Sequence, residues 1–174
     1  IPNMLNAGET MFAYRFEGYW KDVGTLESLW DANMDMLSSD LIDLYDPSWP
    51  ISSRNPICPP HYAGENSRIV HSLISEGCEV DGHVENSVLS PNVRVGKGAT
   101  VFYSVLMPGA VVEDGATVEY AIVGENTVIH AGAHVGNAPD GTDAWGVATC
   151  GPDIEIRCGA QVAAGAMIYT GEEV

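Results

Sequence analysis

Histidines are the side chains of this sequence best suited to acid–base chemistry near neutral pH. The five are His61, His71, His83, His130 and His134. The last two lie four residues apart, but this spacing falls across a corner of β structure rather than along one turn of a helix. We therefore expect each histidine to be a surface or corner residue, and the pair is weak evidence for a metal site or a catalytic dyad.

Cysteines and basic residues narrow the chemistry further. The four cysteines form neither a C-x-x-C pair nor a zinc-binding spacing, which favours free thiols in a cytosolic protein. They are Cys58, Cys78, Cys150 and Cys158. The net charge is −17, and nucleic-acid binding requires a basic patch, so nucleic acid is not expected as a partner. An anionic ligand must use backbone amides or some of the seven basic residues, which are Arg15, Lys21, Arg54, Arg68, Arg94, Lys97 and Arg157.

The composition predicts a globular protein with a sizeable core, since 45% of the residues are hydrophobic and 18% are charged. No apolar run approaches the roughly 18 residues of a membrane span. The first residues do not show the pattern of a signal peptide. The sequence opens on Ile1 rather than on a methionine, which suggests a piece of a longer protein.

One short phrase recurs ten times between residues 74 and 168. It consists of an aliphatic residue, two variable residues, Gly or Asn, and then a small or aliphatic residue. The phrases come in pairs six residues apart, and successive pairs are first spaced 15, 17 and 17 residues. Their first residues are Ile74, Val80, Leu89, Val95, Leu106, Val112, Val123, Ile129, Ile156 and Val162. The fourth position is Gly or Asn except in one phrase, where it is His83.

This period predicts a triangular parallel β-helix. Two or three extended residues would form each flat side, and Gly or Asn would turn the corner because both tolerate a positive φ. Three sides close one coil, and the recurring aliphatic residues stack inside from coil to coil. An antiparallel sandwich with a turn every eight to twelve residues or so is the alternative. Ten phrases in one register argue against it.

Residues 136–153 interrupt the repeat. The interval from Val123 to Ile156 equals one 17-residue coil plus 16 residues. We therefore expect a loop that leaves the β-helix at one corner. Loops on a rigid scaffold often carry function, but a glycine-rich loop can equally be only mobile.

The first 24 residues are too few to bury a core of their own. Within them, residues 11–16 alternate as a strand would, with Phe12, Tyr14 and Phe16 on one face. These residues must pack on the β-helix, stay loose, or belong to a domain that this sequence does not include.

A helix and a proline-rich stretch connect this segment to the repeats. Thr25 is suited to cap a helix over residues 26–37, whose apolar residues follow helical spacing. Prolines then keep residues 46–60 extended. This stretch is either a loose linker or is pinned to the β-helix by Trp49 and Tyr62.

Four blocks in a fixed order resemble a known family. They are Phe16-Glu17-Gly18-Tyr19-Trp20-Lys21-Asp22-Val23-Gly24-Thr25, residues 28–35 (Ser-Leu-Trp-Asp-Ala-Asn-Met-Asp), Asn55-Pro56 with Pro59-Pro60, and the repeats. Together they resemble the C-terminal part of bacterial glucose-1-phosphate adenylyltransferase (ADP-glucose pyrophosphorylase). A Trp-x-Asp-Val-Gly-Thr block before a hexapeptide β-helix is shared with other sugar-nucleotide transferases, whereas the second and third blocks are typical of the adenylyl branch.

The resemblance implies a mainly β fold in three segments. Residues 65–174 would form a single-stranded, left-handed parallel β-helix of hexapeptide repeats. Residues 25–64 would be a helical and proline-rich linker. Residues 1–24 would be the C-terminal remnant of an α/β nucleotidyltransferase domain that this sequence otherwise lacks.

The resemblance also implies a reaction in which ATP and glucose 1-phosphate give ADP-glucose and pyrophosphate, in glycogen synthesis in the cytoplasm. Mg²⁺ would neutralise charge on the phosphates. In such transferases the Asp of the Trp-x-Asp-Val-Gly-Thr block is one of two carboxylates that hold the metal, which corresponds to Asp22. Judged without the family, Asp22 would be a turn aspartate before Gly24.

The family's Gly-rich nucleotide-binding loop with its following Arg does not occur ahead of Trp20. We therefore expect this fragment to be inactive on its own. In the family the β-helix supports assembly of a homotetramer and borders a site for anionic metabolite effectors. The candidates for that site are Arg54, Arg68, Arg94 and Lys97, although solvated surface cations would look the same in the sequence.

Other functions stay open from the sequence. A hexapeptide-repeat acyltransferase binds acyl-CoA between coils and uses a histidine as base, but the block from Trp20 to Thr25 would have no role in it. A related nucleotidyltransferase could use GTP, UTP or another sugar. A non-catalytic regulatory subunit with a decayed metal site is disfavoured by the intact Asp22.

Overall fold

The computed structural model of the chain describes residues 1–38, 40–52, 56–142 and 144–169. It contains two helices, α1 (Pro2–Asn6) and α2 (Leu26–Asp35). Short strands of two or three residues follow from Tyr62 onward. The first nine are β1 (Tyr62–Ala63), β2 (Arg68–Val70), β3 (Leu73–Ile74), β4 (Glu79–Val80), β5 (His83–Glu85), β6 (Val88–Leu89), β7 (Arg94–Val95), β8 (Thr100–Phe102) and β9 (Val105–Leu106). The next nine are β10 (Val111–Val112), β11 (Thr117–Glu119), β12 (Ala121–Val123), β13 (Val128–Ile129), β14 (His134–Val135), β15 (Ala148–Cys150), β16 (Glu155–Ile156), β17 (Gln161–Val162) and β18 (Met167–Ile168).

These strands form three parallel six-stranded sheets that wind around one axis. Sheet A has the order β1-β4-β7-β10-β13-β16, sheet B has β2-β5-β8-β11-β14-β17, and sheet C has β3-β6-β9-β12-β15-β18. Each strand therefore pairs with the strand three positions along the chain, and three consecutive strands make one coil. The predicted parallel β-helix is confirmed, and the antiparallel sandwich is wrong.

The core consists of three columns of inward side chains, one for each sheet. In sheet B, the pairing register stacks Val84, Val101, Val118 and Val135 directly on one another. Leu89 and Leu106 stack in the same way in sheet C. These side chains are fully buried, and each contributes about 1.5–3 kcal/mol relative to an exposed position. A coil alone would expose its column, so each coil depends on its neighbours.

The corners use the positive φ that the repeat predicts. At the corner between sheets C and A, φ is +76° at Gly77, +63° at Asn92, +73° at Gly109 and +53° at Asn126. Gly precedes Asn in two of these stacks, where a Cβ atom at Gly77 would collide with Oδ1 of Asn92 and one at Gly109 would lie 2.6 Å from Oδ1 of Asn126. The next corner has Asp153 at φ +56°, whose carboxylate accepts a hydrogen bond from the Asn126 side chain. His83, the exception in the repeat, lies in β5, and its coil is the 15-residue one.

The interruption of the repeat is shorter than the sequence suggests. In the coil before the interruption, the inward residues Val118 of sheet B and Val123 of sheet C are five residues apart. In the next coil, the equivalent residues Val135 and Cys150 are fifteen residues apart. The chain therefore inserts ten residues between these two sheets, in the segment 136–147. The prediction of a loop over residues 136–153 is wrong at its C-terminal end, because β15 rejoins sheet C with Cys150 in the column. We call residues 136–147 the insertion loop.

Residues 11–16 do not form the predicted strand. Phe12 and Tyr14 are 92% and 89% exposed. No described strand pairs with these residues, and a strand without a hydrogen-bonding partner is not stable in water. Their alternation therefore does not produce β structure in this chain.

Helix α2 begins where the sequence predicts. The Thr25 hydroxyl accepts a hydrogen bond from the Ser28 amide at 3.1 Å, and the Ser28 hydroxyl oxygen accepts one from the Thr25 amide at 2.9 Å. This reciprocal capping box satisfies two amides that the first turn leaves free. The helix ends at Asp35, two residues before the predicted end.

The proline-rich stretch leads into β1 and is held by its backbone at the corner between the first and second coils. The amide of Gly77 donates to the carbonyl of Pro59 at 2.7 Å, and the amide of Tyr62 donates to the carbonyl of Cys78 at 2.8 Å. The side chains of Trp49 and Tyr62 are 81% and 61% exposed. The alternative in which these two aromatic rings pin the linker to the β-helix is therefore wrong.

Candidate functional site

The block around Asp22 lies against helix α2. The Tyr19 hydroxyl donates to Oδ2 of Asp35 at 2.9 Å, and Nζ of Lys21 donates to the same oxygen at 2.7 Å. Nζ of Lys21 is also 3.7 Å from Oδ2 of Asp31. Asp31 and Asp35 are one helical turn apart, so they share one face of α2. We call Tyr19, Lys21, Asp31 and Asp35 the α2 clamp.

These contacts shift the pKa values of the clamp residues in opposite directions. The hydrogen bond from Lys21 is the main cause that lowers the pKa of Asp35, and the bond from Tyr19 adds to it. The same bond to Asp35 raises the pKa of Lys21. The pKa of the Tyr19 hydroxyl is raised, first by partial burial and then by its bond to Asp35. The clamp therefore favours an ionised Asp35 and a protonated Lys21.

Helix α2 is in turn fixed to the outside of the β-helix. The Trp30 indole donates to the carbonyl of Tyr103 at 2.7 Å, and its ring centroid is 6.0 Å from that of Tyr120. Near the end of the helix, Nε2 of His71 is 3.1 Å from the carbonyl of Leu37. Leu26, Leu29, Trp30 and Met34 pack against Val105, Ile122 and Val147. The apolar face of α2 is thus covered by sheet C and by the corner between sheets B and C.

An aromatic ladder continues from this helix to the insertion loop. Tyr103 and Tyr120 occupy the same corner in adjacent coils, and their rings stack 4.7 Å apart. Trp145 of the insertion loop meets Tyr120 edge-on at 5.7 Å. Its indole donates to the carbonyl of Asn137 at 2.8 Å. The insertion loop is therefore anchored to the β-helix beside α2.

Asp22 itself is exposed to solvent. Mg²⁺ in phosphoryl-transfer sites takes one or two carboxylates and completes its coordination with phosphate oxygens and waters. The described residues contain no group of three His, Cys, Asp or Glu side chains that could enclose a metal ion. An exposed single carboxylate therefore fits one ligand of a shared Mg²⁺ site, and it does not fit a metal site built by the described residues alone.

The three candidate effector residues that the structure describes do not share one face. Arg54 lies outside the described residues. Arg68 is exposed in β2 of sheet B, and Arg94 is exposed in β7 of sheet A. Lys97 is exposed at the corner between those two sheets. The sequence groups these residues only through their charge.

The surroundings of Arg94 oppose a bound anion. Its guanidinium is 3.3 Å from Oε1 of Glu79. The cleft beside it, of about 450 Å³, is also lined by Asp81, Glu113 and Asp114. Four carboxylates against one guanidinium make this cleft electronegative.

The cleft at Lys97 has a different composition. It has a volume of about 310 Å³ and is lined by Asn66, Asp81, His83 and Thr100 as well as by Lys97. One carboxylate faces one ammonium group there, so this cleft is the more suitable of the two for an anion.

Histidines on the β-helix face carboxylates of the same chain. Nδ1 of His130 is 3.1 Å from Glu113 and its Nε2 is 3.6 Å from Glu155, so this ring lies between neighbouring coils. Nε2 of His134 is 3.7 Å from Glu119. His83 lies 3.1 Å from Glu85, although the angle does not make a hydrogen bond. These contacts lie at corners or on the surface of the β-helix, and they join neighbouring coils or, for His83 and Glu85, two residues of one strand.

The cysteines are free, as the sequence indicates. Cys78 and Cys150 are buried, and Cys158 is exposed. Burial raises the pKa of the Cys150 thiol to about 12. The buried thiols therefore act as small apolar side chains of the core.

The sequence did not reveal the α2 clamp or the aromatic ladder. Lys21 and Asp35 are fourteen residues apart, and Trp30 and Tyr103 are seventy-three apart. Such contacts depend on the path of α2 across the β-helix, which no local pattern specifies. The aromatic residues at equivalent corner positions, Tyr103 and Tyr120, were the one available signal.

Two family models match this chain. The first, described as GlmU-like, C-terminal hexapeptide, matches residues 60–149, and such hexapeptide repeats fit a left-handed β-helix. The second, described as nucleotidyl transferase, matches residues 1–39. The second match contains the block around Asp22 and helix α2. Among the described residues, no helix has both the length and the apolar character required to cross a membrane.

Curated relatives carry the name glucose-1-phosphate adenylyltransferase. The relative from Clostridium botulinum (strain Eklund 17B / Type B) is 58% identical over 102 residues, which are 58% of this chain and 26% of the relative. The relative from Clostridium perfringens (strain SM101 / Type A) is 57% identical over 102 residues, with the same coverage. The relative from Desulforamulus reducens is 54% identical over 102 residues, again 58% and 26% of the two chains. The aligned part thus spans about a quarter of each of these relatives.

Proposed function

Because the chain belongs to the GlmU-like, C-terminal hexapeptide family, we propose that it is the β-helix part of an enzyme that makes ADP-glucose and pyrophosphate from ATP and glucose 1-phosphate. The observation that carries this proposal is the 50–58% identity to proteins named glucose-1-phosphate adenylyltransferase. The nucleotidyl transferase match over residues 1–39 supports it, because that match includes Asp22. ADP-glucose would then be made for glycogen synthesis in the cytoplasm.

In this proposal Asp22 is one of two carboxylates that hold Mg²⁺. When bound, Mg²⁺ neutralises charge on the ATP phosphates as the sugar phosphate attacks the α-phosphorus. Asp22 is suited to this role because its carboxylate is exposed. The second carboxylate and the nucleotide contacts would come from a part of the enzyme outside this chain.

The β-helix has a supporting role in the same proposal. It would contribute to a homotetramer and to a site for an anionic metabolite effector. Lys97 is the better placed of the described effector candidates, because its cleft pairs one ammonium group with one carboxylate. Arg68 is a second candidate, since it is exposed on the adjacent sheet B.

The test is pyrophosphate release by the full-length protein with glucose 1-phosphate, Mg²⁺ and each of ATP, GTP, UTP and dTTP. We expect release with ATP only. We expect none from the 174-residue chain assayed alone, because the proposal places the nucleotide contacts in another part of the enzyme. Release with a different nucleotide would instead favour a related nucleotidyltransferase. No release with any of them would contradict the proposal, and turnover of acetyl-CoA in that case would favour the acyltransferase.

A further inference from the structure

Asp22 lies in a segment that helix α2 holds at both ends. At one end, Thr25 caps the helix through its bond with Ser28. At the other end, Lys21 reaches Asp35, which is nine residues beyond the first residue of the helix and so about 14 Å further along its axis. The four residue steps from Lys21 to Thr25 span at most about 14 Å, so residues 21–25 form a short segment that is tied to the helix at both ends.

The clamp also restricts the direction in which Asp22 projects. Tyr19 and Lys21 are two residues apart and bind the same oxygen of Asp35. Asp22 is exposed, whereas the side chain of its neighbour Lys21, turned toward Asp35, is only 26% exposed.

Helix α2 fixes the position of this segment relative to the β-helix. Trp30 is bonded to the backbone of the third coil at Tyr103, and the helix ends against His71 of the first coil. A residue clamped to α2 is therefore fixed relative to the whole β-helix. Lys21 also supplies positive charge beside Asp31 and Asp35.

We propose that Lys21, held by Asp35 and Tyr19, is a positioning residue that fixes the Asp22 carboxylate for its metal ion. This inference rests on the proposed role of Asp22 in the adenylyl transfer. Groups that hydrogen-bond a metal ligand typically change metal affinity or activity by about ten- to a hundredfold when they are replaced. Lys21 acts on Asp22 through the backbone, so we expect an effect at the lower end, about tenfold. The clamp would thus make the metal site depend on correct docking of α2 on the β-helix.

The experiment uses the full-length protein with Lys21→Met, which keeps an apolar stem and removes the ammonium group. We expect the half-saturating Mg²⁺ concentration to rise about tenfold, with the KM for glucose 1-phosphate unchanged. Lys21→Arg retains a cation for Asp35, so its half-saturating Mg²⁺ concentration should stay within about threefold of the wild-type value. Glu113→Gln is the matched control, because it removes a carboxylate contact to His130 on the β-helix and should leave the Mg²⁺ dependence unchanged.

A second measurement does not depend on activity. Fe²⁺ with ascorbate and ATP cleaves the backbone close to a bound metal ion, and mass spectrometry locates the cut. We expect cleavage next to residue 22 in the wild type, its loss in Asp22→Asn, and about a tenfold decrease in Lys21→Met. Unchanged cleavage and unchanged Mg²⁺ dependence in Lys21→Met would overturn the positioning role.

The two proposals fail in different ways. If Asp22→Asn raises the half-saturating Mg²⁺ concentration and decreases cleavage next to residue 22, but Lys21→Met changes neither, only the positioning role is wrong. If Asp22→Asn itself changes neither, the metal role of Asp22 is wrong and the positioning role falls with it. If Lys21→Met does not fold, Tyr19→Phe provides the test, because it removes one hydrogen bond to Asp35. We expect it to raise the half-saturating Mg²⁺ concentration about two- to fivefold. An unchanged Mg²⁺ concentration would overturn the proposal.

Discussion

Replacing Gly109 by alanine tests whether the Asn126 side chain requires a glycine at this position of the corner between sheets C and A. Gly109 has a φ of +73°, and a Cβ atom there would lie 2.6 Å from Oδ1 of Asn126. Gly98 offers a matched control, because its φ is +66° and no atom lies within 4 Å of the added Cβ. Both substitutions carry the backbone cost, but only one carries the collision.

The expected magnitudes follow from these two contributions. An L-residue in the left-handed region costs about 1–2 kcal/mol, which we expect for Gly98→Ala. Gly109→Ala must in addition displace the Asn126 amide, which donates to Asp153 at 3.1 Å. Loss of that bond adds about 0.5–1.5 kcal/mol, so Gly109→Ala should cost about 1.5–3.5 kcal/mol in the free energy of unfolding.

Urea unfolding followed by circular dichroism measures both free energies. The double variant Gly109→Ala with Asn126→Gly removes the collision, so its cost should fall below the sum of the single variants by about 1 kcal/mol. If Gly109→Ala and Gly98→Ala cost the same, or if the double variant is additive, stacking between corners does not constrain the choice of Gly and Asn.

Three further predictions concern the docking helix, the thiols and the clamp. Trp30→Phe removes the indole donor to Tyr103 and should cost about 1 kcal/mol, measured as roughly fivefold faster amide exchange in α2. Trp49→Phe, at an 81% exposed position, is the control and should leave amide exchange unchanged. Equal effects of the two substitutions would contradict the docking role of Trp30. Iodoacetamide should label Cys158 first and Cys150 only on unfolding, because the buried Cys150 thiol has a pKa of about 12 and stays protonated. Peptide mapping that finds Cys150 labelled in the native protein would contradict this prediction. Because Lys21 lowers the pKa of Asp35 in the folded state, Asp35 stabilises the fold above its unfolded pKa of about 4, and this contribution is lost as the pH falls through the folded pKa. Asp35→Asn should therefore flatten the acid limb of the stability curve below about pH 5, whereas the exposed control Asp40→Asn should flatten it less.

The β-helix could be predicted because its information is local and repeated. Each phrase places an aliphatic residue inward and a Gly or Asn at the next corner. Leu89 and Asn92 illustrate this, since one fills the sheet C column and the other has a φ of +63°. The four pairs of phrases from Ile74 to Ile129 share one register and determine which residues stack in sheets C and A. The fifth pair lies one side further along the coil, because Ile156 stacks on Ile129 and Val162 stacks on Val135.

Strand β15 shows where the same reasoning fails. Its inward residue is Cys150, and the Ala148-Thr149-Cys150 sequence does not match the aliphatic phrase. The structure uses the small buried thiol as an ordinary member of the sheet C column. A ten-residue insertion just before it also shifts the register that a periodic search depends on.

The segment before α2 could not be predicted from the sequence for a different reason. Alternation over residues 11–16 specifies two faces but does not specify a hydrogen-bonding partner. The contact of Lys21 with Asp35 depends on a capped helix that turns the chain back beside itself. Asp22 was singled out only through a family resemblance, and its exposed position is compatible with that role.

The most direct test of the proposed function is the effect of Asp22→Asn on pyrophosphate release from ATP and glucose 1-phosphate by the full-length protein. We expect kcat to fall by about a hundredfold or more, equivalent to about 2.7 kcal/mol of transition-state stabilisation. The melting temperature should not change, and Asp40→Asn should retain wild-type activity. Activity of Asp22→Asn within fivefold or so of the wild type, at saturating Mg²⁺ and at limiting Mg²⁺ alike, would contradict the assignment of Asp22 as a metal ligand.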